Sequence, residues 1–256
     1  MNVITADTIG RDTLAMIGRS LRVTGRKIDS LLLSIILPVV LMLLFVFVFG
    51  GAISTGTAYV NYVVPGILVL CAGYGASQTG IVVCEDVVGR LVDRFRTMPI
   101  PASAVLTGHV VASVARNTVS TVLVLGTALL LGFRPDAGAS EWLAAAGLVL
   151  LLVVALSWVS ACLGLVARSA EAAGGLGFAI LFLPYISSAF VPTSTMPVAL
   201  RAVADHQPIT PTIETLRGLL TGTPIGANAG LAVAWWGAIT VAAYASARWL
   251  FARRAA

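Results

Sequence analysis

Long apolar runs separated by short polar breaks organise the chain. They fall at 30–50, 62–83, 104–133, 142–167, 172–190 and 228–251, and each carries almost no charge. At 1.5 Å per helical residue, each can cross a hydrocarbon layer about 30 Å thick. The pattern therefore predicts an all-α polytopic membrane protein with six transmembrane helices in a single domain. Small and polar residues in the second run (Gly73, Gly75, Ser77, Gln78, Thr79, Gly80) suit close helix packing. Pro38 predicts a bend in the first.

Three stretches break the apolar pattern without abandoning periodicity. Residues 7–29 place Leu14, Ile17, Leu21 and Ile28 on one stripe and Arg19, Arg22 and Arg26 on another. That spacing predicts an amphipathic helix in the interface, its arginines directed at anionic headgroups. Residues 191–227 are semi-polar, and Leu200, Val203, Leu216, Leu219 and Leu220 predict two short helices at or dipping into the outer membrane surface. His206 and Gln207, with Pro208 and Pro211, read as the breaker between them: a turn, or a lining of the extracellular exit.

The third stretch, CEDVVGRLVDRFRTMPIPAS at 84–103, gathers Glu85, Asp86, Arg90, Asp93, Arg94 and Arg96 in a chain only 11% charged. Val88, Leu91, Val92 and Phe95 recur at i, i+3, i+4, i+7, the apolar face of a short helix that Pro99 and Pro101 stop. A solvated loop needs no such stripe. A nucleic-acid patch would not set three carboxylates among its arginines, since each repels phosphate. A mixed-charge amphipathic helix suits a protein partner, with a helix that only lies on the bilayer as the alternative.

Composition agrees with a membrane protein: 58% hydrophobic residues in a chain of 256, with a mean hydropathy of +0.97. The net charge of +5 is therefore a topology signal and not a nucleic-acid one. With the N-terminus in the cytoplasm, Arg11, Arg19, Arg22, Arg26, Lys27, Arg90, Arg94, Arg96, Arg168, Arg248, Arg253 and Arg254 lie inside, and only Arg134, Arg201 and Arg217 outside. The positive-inside rule then sets both termini, and the 84–103 segment, in the cytoplasm of a bacterial cell membrane. Residues 1–29 lack the continuous apolar core of a cleavable signal. Cys71, Cys84 and Cys162 have no metal-binding spacing and read as small packing residues.

Chemistry-bearing motifs are few. No G-x-x-x-x-G-K-[ST] occurs, and the sole lysine, Lys27, sits in GRKID, so nothing here cradles ATP phosphates. Gly75-Ala-Ser77-Gln-Thr79 puts Thr where a hydrolase elbow needs its last Gly. An intramembrane enzyme and an ATP-independent transporter are the competing classes. The latter is expected to show mid-span ionisable residues or inverted repeats. Arg116, read as lying where the third span enters the membrane, can snorkel to the inner interface or touch a substrate. His109 reads as a packed histidine. Arg168 and Glu171, at i, i+3, read as a local pair.

Four segments in order, EDVVGRLVDRFRTMPI, RSAEAAGGLGF (168–178), SSAFVPTSTMP (187–197) and DHQPITPTIETLRGLL (205–220), resemble the daunorubicin-resistance branch of the ABC-2-type transporter permeases. The resemblance covers nearly the whole chain. It implies an ABC-2 exporter fold: a connecting helix (7–29) with Arg19, Arg22 and Arg26, six spans, a cytoplasmic coupling helix within 84–101, and re-entrant extracellular helices. It further implies that Glu85, Asp86, Arg90, Leu91, Asp93, Arg94, Phe95 and Arg96 engage a separate ATPase subunit. A gating or ATPase-facing role for Arg168 and Glu171 likewise rests on the resemblance alone. That partner, present in two copies, binds ATP and Mg, so this chain carries no cofactor and is not itself an enzyme. A second permease copy, as a homodimer, membrane lipid and an amphipathic drug, antibiotic or lipid-like substrate complete the implied partners, with no nucleic acid.

Overall fold

The computed structural model describes residues 14, 16–22, 28–53, 55–89 and 102–255. Every regular element among them is helical. Residues 16–22 form the described part of an N-terminal helix, α1. The long elements that follow are α2 (Ile28–Leu43), α3 (Tyr59–Val88), α4 (Ala102–Leu130) and α5 (Ala139–Val166). After them come α6 (Ala170–Phe182), α7 (Val198–His206), α8 (Ile209–Thr221) and α9 (Asn228–Ala255).

Four of these, α3, α4, α5 and α9, are long and apolar enough to cross a membrane, and two shorter apolar helical stretches cover 34–49 and 170–186. All six coincide with the apolar runs, with shifted ends. Pro38 lies inside α2, whose regular winding gives way later, in a π-helical turn at Leu44–Phe49. The second span begins at Tyr59 and continues to Val88, so Glu85 and Asp86 belong to its last turn and not to a separate helix. The fifth closes in a 3₁₀ turn at Leu183–Ile186. Two short helices, α7 and α8, do occupy the 191–227 stretch.

The bundle is built around α3, which packs against α2, α4, α5, α6 and α8 and buries 21 of its 30 residues. Its residues are small enough for that. Gly80 and Gly164 bring α3 and α5 into backbone contact, so that a Cβ on Gly164 would lie 2.2 Å from the Gly80 carbonyl oxygen. A second contact of this kind sets Gly66 against Ala189. The apolar core on the outer half joins Ile67, Leu70, Leu152, Ile213, Leu216 and Trp236, so α8 is a core element although only 13 residues long. Gly222, at φ 72°, takes the left-handed conformation that ends α8.

The cysteines form no disulfide and serve as interhelical contacts: Cys71 Sγ lies 3.8 Å from Ser34 O, Cys84 Sγ 3.8 Å from Ala167 O, and Cys162 Sγ 3.2 Å from Ala243 O. By contrast α9 packs mainly on α5 and turns Leu231, Val233, Trp235, Val241 and Trp249 outward. Such a face suits lipid or a second protein, since acyl chains cost apolar side chains nothing.

Candidate functional site

On α4 the polar residues recur at i, i+4, i+7, i+8 and i+11: His109, Ser113, Arg116, Asn117 and Ser120. All five are buried, facing the bundle. Buried polar groups need partners; four of these find them on neighbouring helices, whereas Asn117 bonds only within α4 and its Oδ1 has no partner among the described residues. Ser120 Oγ lies 2.8 Å from Ser34 Oγ of α2, and Ser157 of α5 donates to Ser113 Oγ at 2.9 Å. Asn117 donates to the Ser113 carbonyl at 3.0 Å and packs on Gly75, where a Cβ would fall 2.2 Å from its Oδ1.

Arg116 lies near the middle of α4 and not at its start. Its Nη2 donates to the Gly75 carbonyl at 2.9 Å and more weakly to Thr79 Oγ1 at 3.5 Å, both on α3. No carboxylate pairs with it among the described residues. A guanidinium held by a carbonyl this deep in a bundle is a functional candidate by position.

At the cytoplasmic end implied by the positive-inside rule, α1, α3 and α4 converge on one carboxylate. His109 Nε2 lies 3.1 Å from Asp86 Oδ2, and Arg19 Nη1 reaches the same oxygen at 3.3 Å. His109 is almost fully buried and Asp86 largely so. Gly108 makes the convergence possible, because a Cβ there would stand 3.0 Å from the Met16 carbonyl of α1. Val83, Leu106 and Val110, from the same ends of α3 and α4, belong to one buried apolar cluster. The carboxylate and the histidine are 23 positions apart in sequence, so no helical spacing could reveal the pair.

The opposite end is organised by Arg217 of α8. Its guanidinium donates to the Tyr62 carbonyl at 3.1 Å and the Ser188 carbonyl at 2.8 Å, and pairs with Glu214 at 2.6 Å. It also lies 3.8 Å over the Tyr62 ring. Sequence reading saw Arg217 only as an outer charge. A polar pocket of about 480 Å³ opens beside it, lined by Asn61, Arg134, Asp136 and Glu214. Below that, α3, α4, α5 and α8 line an apolar cleft of about 360 Å³, open at Val122 and Leu150 and lined by Leu68, Val114, Asn117, Val149, Val153 and Leu216.

The remaining sequence-predicted residues are scattered. Arg22, exposed on α1, donates back to the Gly18 carbonyl at 3.1 Å. Arg26, Arg90, Leu91, Asp93, Arg94, Phe95 and Arg96 lie outside the described residues. Arg168 and Glu171 are both exposed and form no ion pair with each other. Ser169 instead caps α6 by accepting from the Ala172 amide at 3.2 Å. His206 ends α7, with Nδ1 2.8 Å from the Ala202 carbonyl. Gln207 donates to the Leu183 carbonyl at 3.2 Å and to that of Ile186, tying the α7–α8 turn to the end of α6. From Tyr62 to Asp86 the two ends lie roughly 36 Å apart along α3. No group of three or more metal-ligating side chains occurs among the described residues.

Comparison with known proteins agrees with this architecture. Residues 11–221 match the family model described as ABC-2 type transporter. A daunorubicin resistance ABC transporter permease protein, DrrB1, of Streptomyces coeruleorubidus is 33% identical over 194 residues, covering 74% of this chain and 68% of that protein. A probable doxorubicin resistance ABC transporter permease protein, DrrC, of Mycobacterium tuberculosis is 24% identical over 215 residues, covering 83% of this chain and 78% of that one. The chain belongs to the ABC-2 type transporter family, as a multi-pass membrane permease subunit.

Proposed function

We propose that the chain forms the membrane half of an ATP-driven exporter, with six spans and with α7 and α8 re-entering the outer leaflet. Two copies pair with each other and with two ATPase subunits, which bind ATP and Mg. Both termini are cytoplasmic. The substrate is a hydrophobic or amphipathic molecule of the class named for the relatives, anthracyclines such as daunorubicin and doxorubicin. The apolar cleft beside Asn117 is consistent with such a cargo.

The observation that carries the reading is the position of the charged 85–96 segment. It continues directly from α3, the most buried helix of the bundle. A partner gripping Arg90, Arg94, Phe95 and their neighbours would therefore act on the helix that touches nearly every other. No phosphate-binding loop occurs within residues 1–256, which supports an ATPase carried by a separate subunit. Arg168 and Glu171, in the α5–α6 connection, and His206 and Gln207, in the α7–α8 turn, are the gate candidates of this reading.

Co-expression with the cognate ATPase tests this. A detergent-stable complex is expected, and Arg94→Glu combined with Phe95→Asp should release the ATPase while leaving the permease folded. Full-rate transport by the chain with no ATPase present would sink the reading.

A further inference from the structure

The segment 90–101 joins the end of α3 to the start of α4. A load applied to a connection of that length reaches two helix ends, which can respond separately unless something holds them together. The described structure supplies a tie immediately behind the segment. Asp86 stands one turn from the end of α3, His109 two turns into α4, and they meet at 3.1 Å. Arg19 brings α1 to the same oxygen at 3.3 Å.

The surroundings make this tie stiff. His109 has a side chain only 6% exposed, and Asp86 19%, so little water competes for the contact. Val83, Leu106 and Val110, from the same helix ends as Asp86 and His109, belong to one buried apolar cluster. The backbone of α1 rests on Gly108, where an added Cβ would stand in tight contact, 3.0 Å from the Met16 carbonyl oxygen. Ser20 of α1 is buried at the same contact. One carboxylate thus serves three elements.

We infer that Asp86 is a positioning residue for energy transfer, clamping α1, α3 and α4 into one rigid body so that movement of a bound ATPase reaches the third span as well as the second. The carboxylate is the shared acceptor. His109 serves as a donor, and Arg19 holds the N-terminal helix in the same unit. The inference rests on the exporter reading above, because only a partner acting on the residues after α3, 90–96, and not on the inward-turned Asp86, gives the clamp something to transmit.

The test uses the full chain, with its ATPase, in proteoliposomes, and doxorubicin as the transported probe. Asp86→Asn should leave the complex and its ATP hydrolysis in place and lower doxorubicin moved per ATP by about tenfold. His109→Gln, which keeps a donor, should transport near the wild-type ratio, and His109→Leu should not. A role confined to stability would lower hydrolysis and transport together and leave the ratio unchanged.

A second measurement needs no transport. Spin labels at Arg22 and Thr118, in a chain whose three cysteines are replaced by Ala, should give one narrow distance distribution, and Asp86→Asn should broaden it. Asp86→Asn at the wild-type transport ratio overturns the inference. If that variant does not assemble, His109→Leu at the wild-type ratio overturns it instead. A wild-type chain that binds no ATPase refutes the exporter reading. The clamp itself is then decided on the lone chain, where an unbroadened distribution in Asp86→Asn refutes it.

Discussion

The contact between Gly80 and Gly164 sets how closely α3 can approach α5, and Gly164→Ala perturbs it alone. The added methyl would sit 2.2 Å from the Gly80 carbonyl oxygen, 3.0 Å from its carbon and 3.1 Å from its Cα. All three are backbone atoms, so no side-chain rotation relieves the clash. Ordinary contact begins near 3.4 Å, so the two helices must separate by about 1 Å. Overpacking of this kind costs about 1–3 kcal/mol. Helix propensity acts in the opposite direction, since Ala in a helix interior is favoured over Gly by about 1 kcal/mol.

Gly147→Ala, on the same helix, isolates the propensity term because nothing lies within 4 Å of its Cβ position. Thermal unfolding in detergent, followed by tryptophan fluorescence, should therefore put Gly164→Ala below Gly147→Ala. At roughly 2–4 °C per kcal/mol for a chain of this size, the gap should be about 2–12 °C. If the two variants melt together, the backbone contact does not limit the approach of α3 and α5, and the packing argument fails.

Two other substitutions separate structural arginines from costly ones. Arg217→Met removes the donor for the Tyr62 and Ser188 carbonyls and the partner of Glu214. It should cost about 2–4 kcal/mol in the same unfolding assay, and a loss under about 1 kcal/mol would contradict the role assigned to Arg217. Arg116→Met should instead leave stability unchanged or raise it by up to about 2 kcal/mol, since a buried cation with few partners barely repays its desolvation. A clear loss there would identify Arg116 as a structural tie between α3 and α4.

The relation of sequence to site follows from which signals are local. Apolar runs, the prolines of the 191–227 stretch and the missing phosphate loop are read within one segment, because hydrophobic period and turn chemistry act over a few residues. They sufficed for an all-helical membrane chain and for the two short helices; the family came only from the resemblance of four segments, 85–100, 168–178, 187–197 and 205–220. His109, Ser113, Arg116, Asn117 and Ser120 stand at helical spacing in the sequence, but there His109 and Arg116 read singly, and only the rotation of α4 in the bundle shows the five as one inward-facing stripe.

Other features depended on where distant segments meet. Asp86 reads in sequence as one of six charges aimed at a partner; only the end of α3 crossing the start of α4 turns it toward His109 and Arg19. Arg217 reads as an outer charge until α8 packs into the core and gives its guanidinium two carbonyls and a tyrosine ring. Burial decides both cases. A charge removed from water must be compensated by groups brought to it by the fold, and those lie 23 and 67 residues away for Asp86 and as many as 155 for Arg217. The sequence by itself determined what each helix is and which face is apolar. The tertiary structure decided which charges remain available and which are spent holding the bundle together.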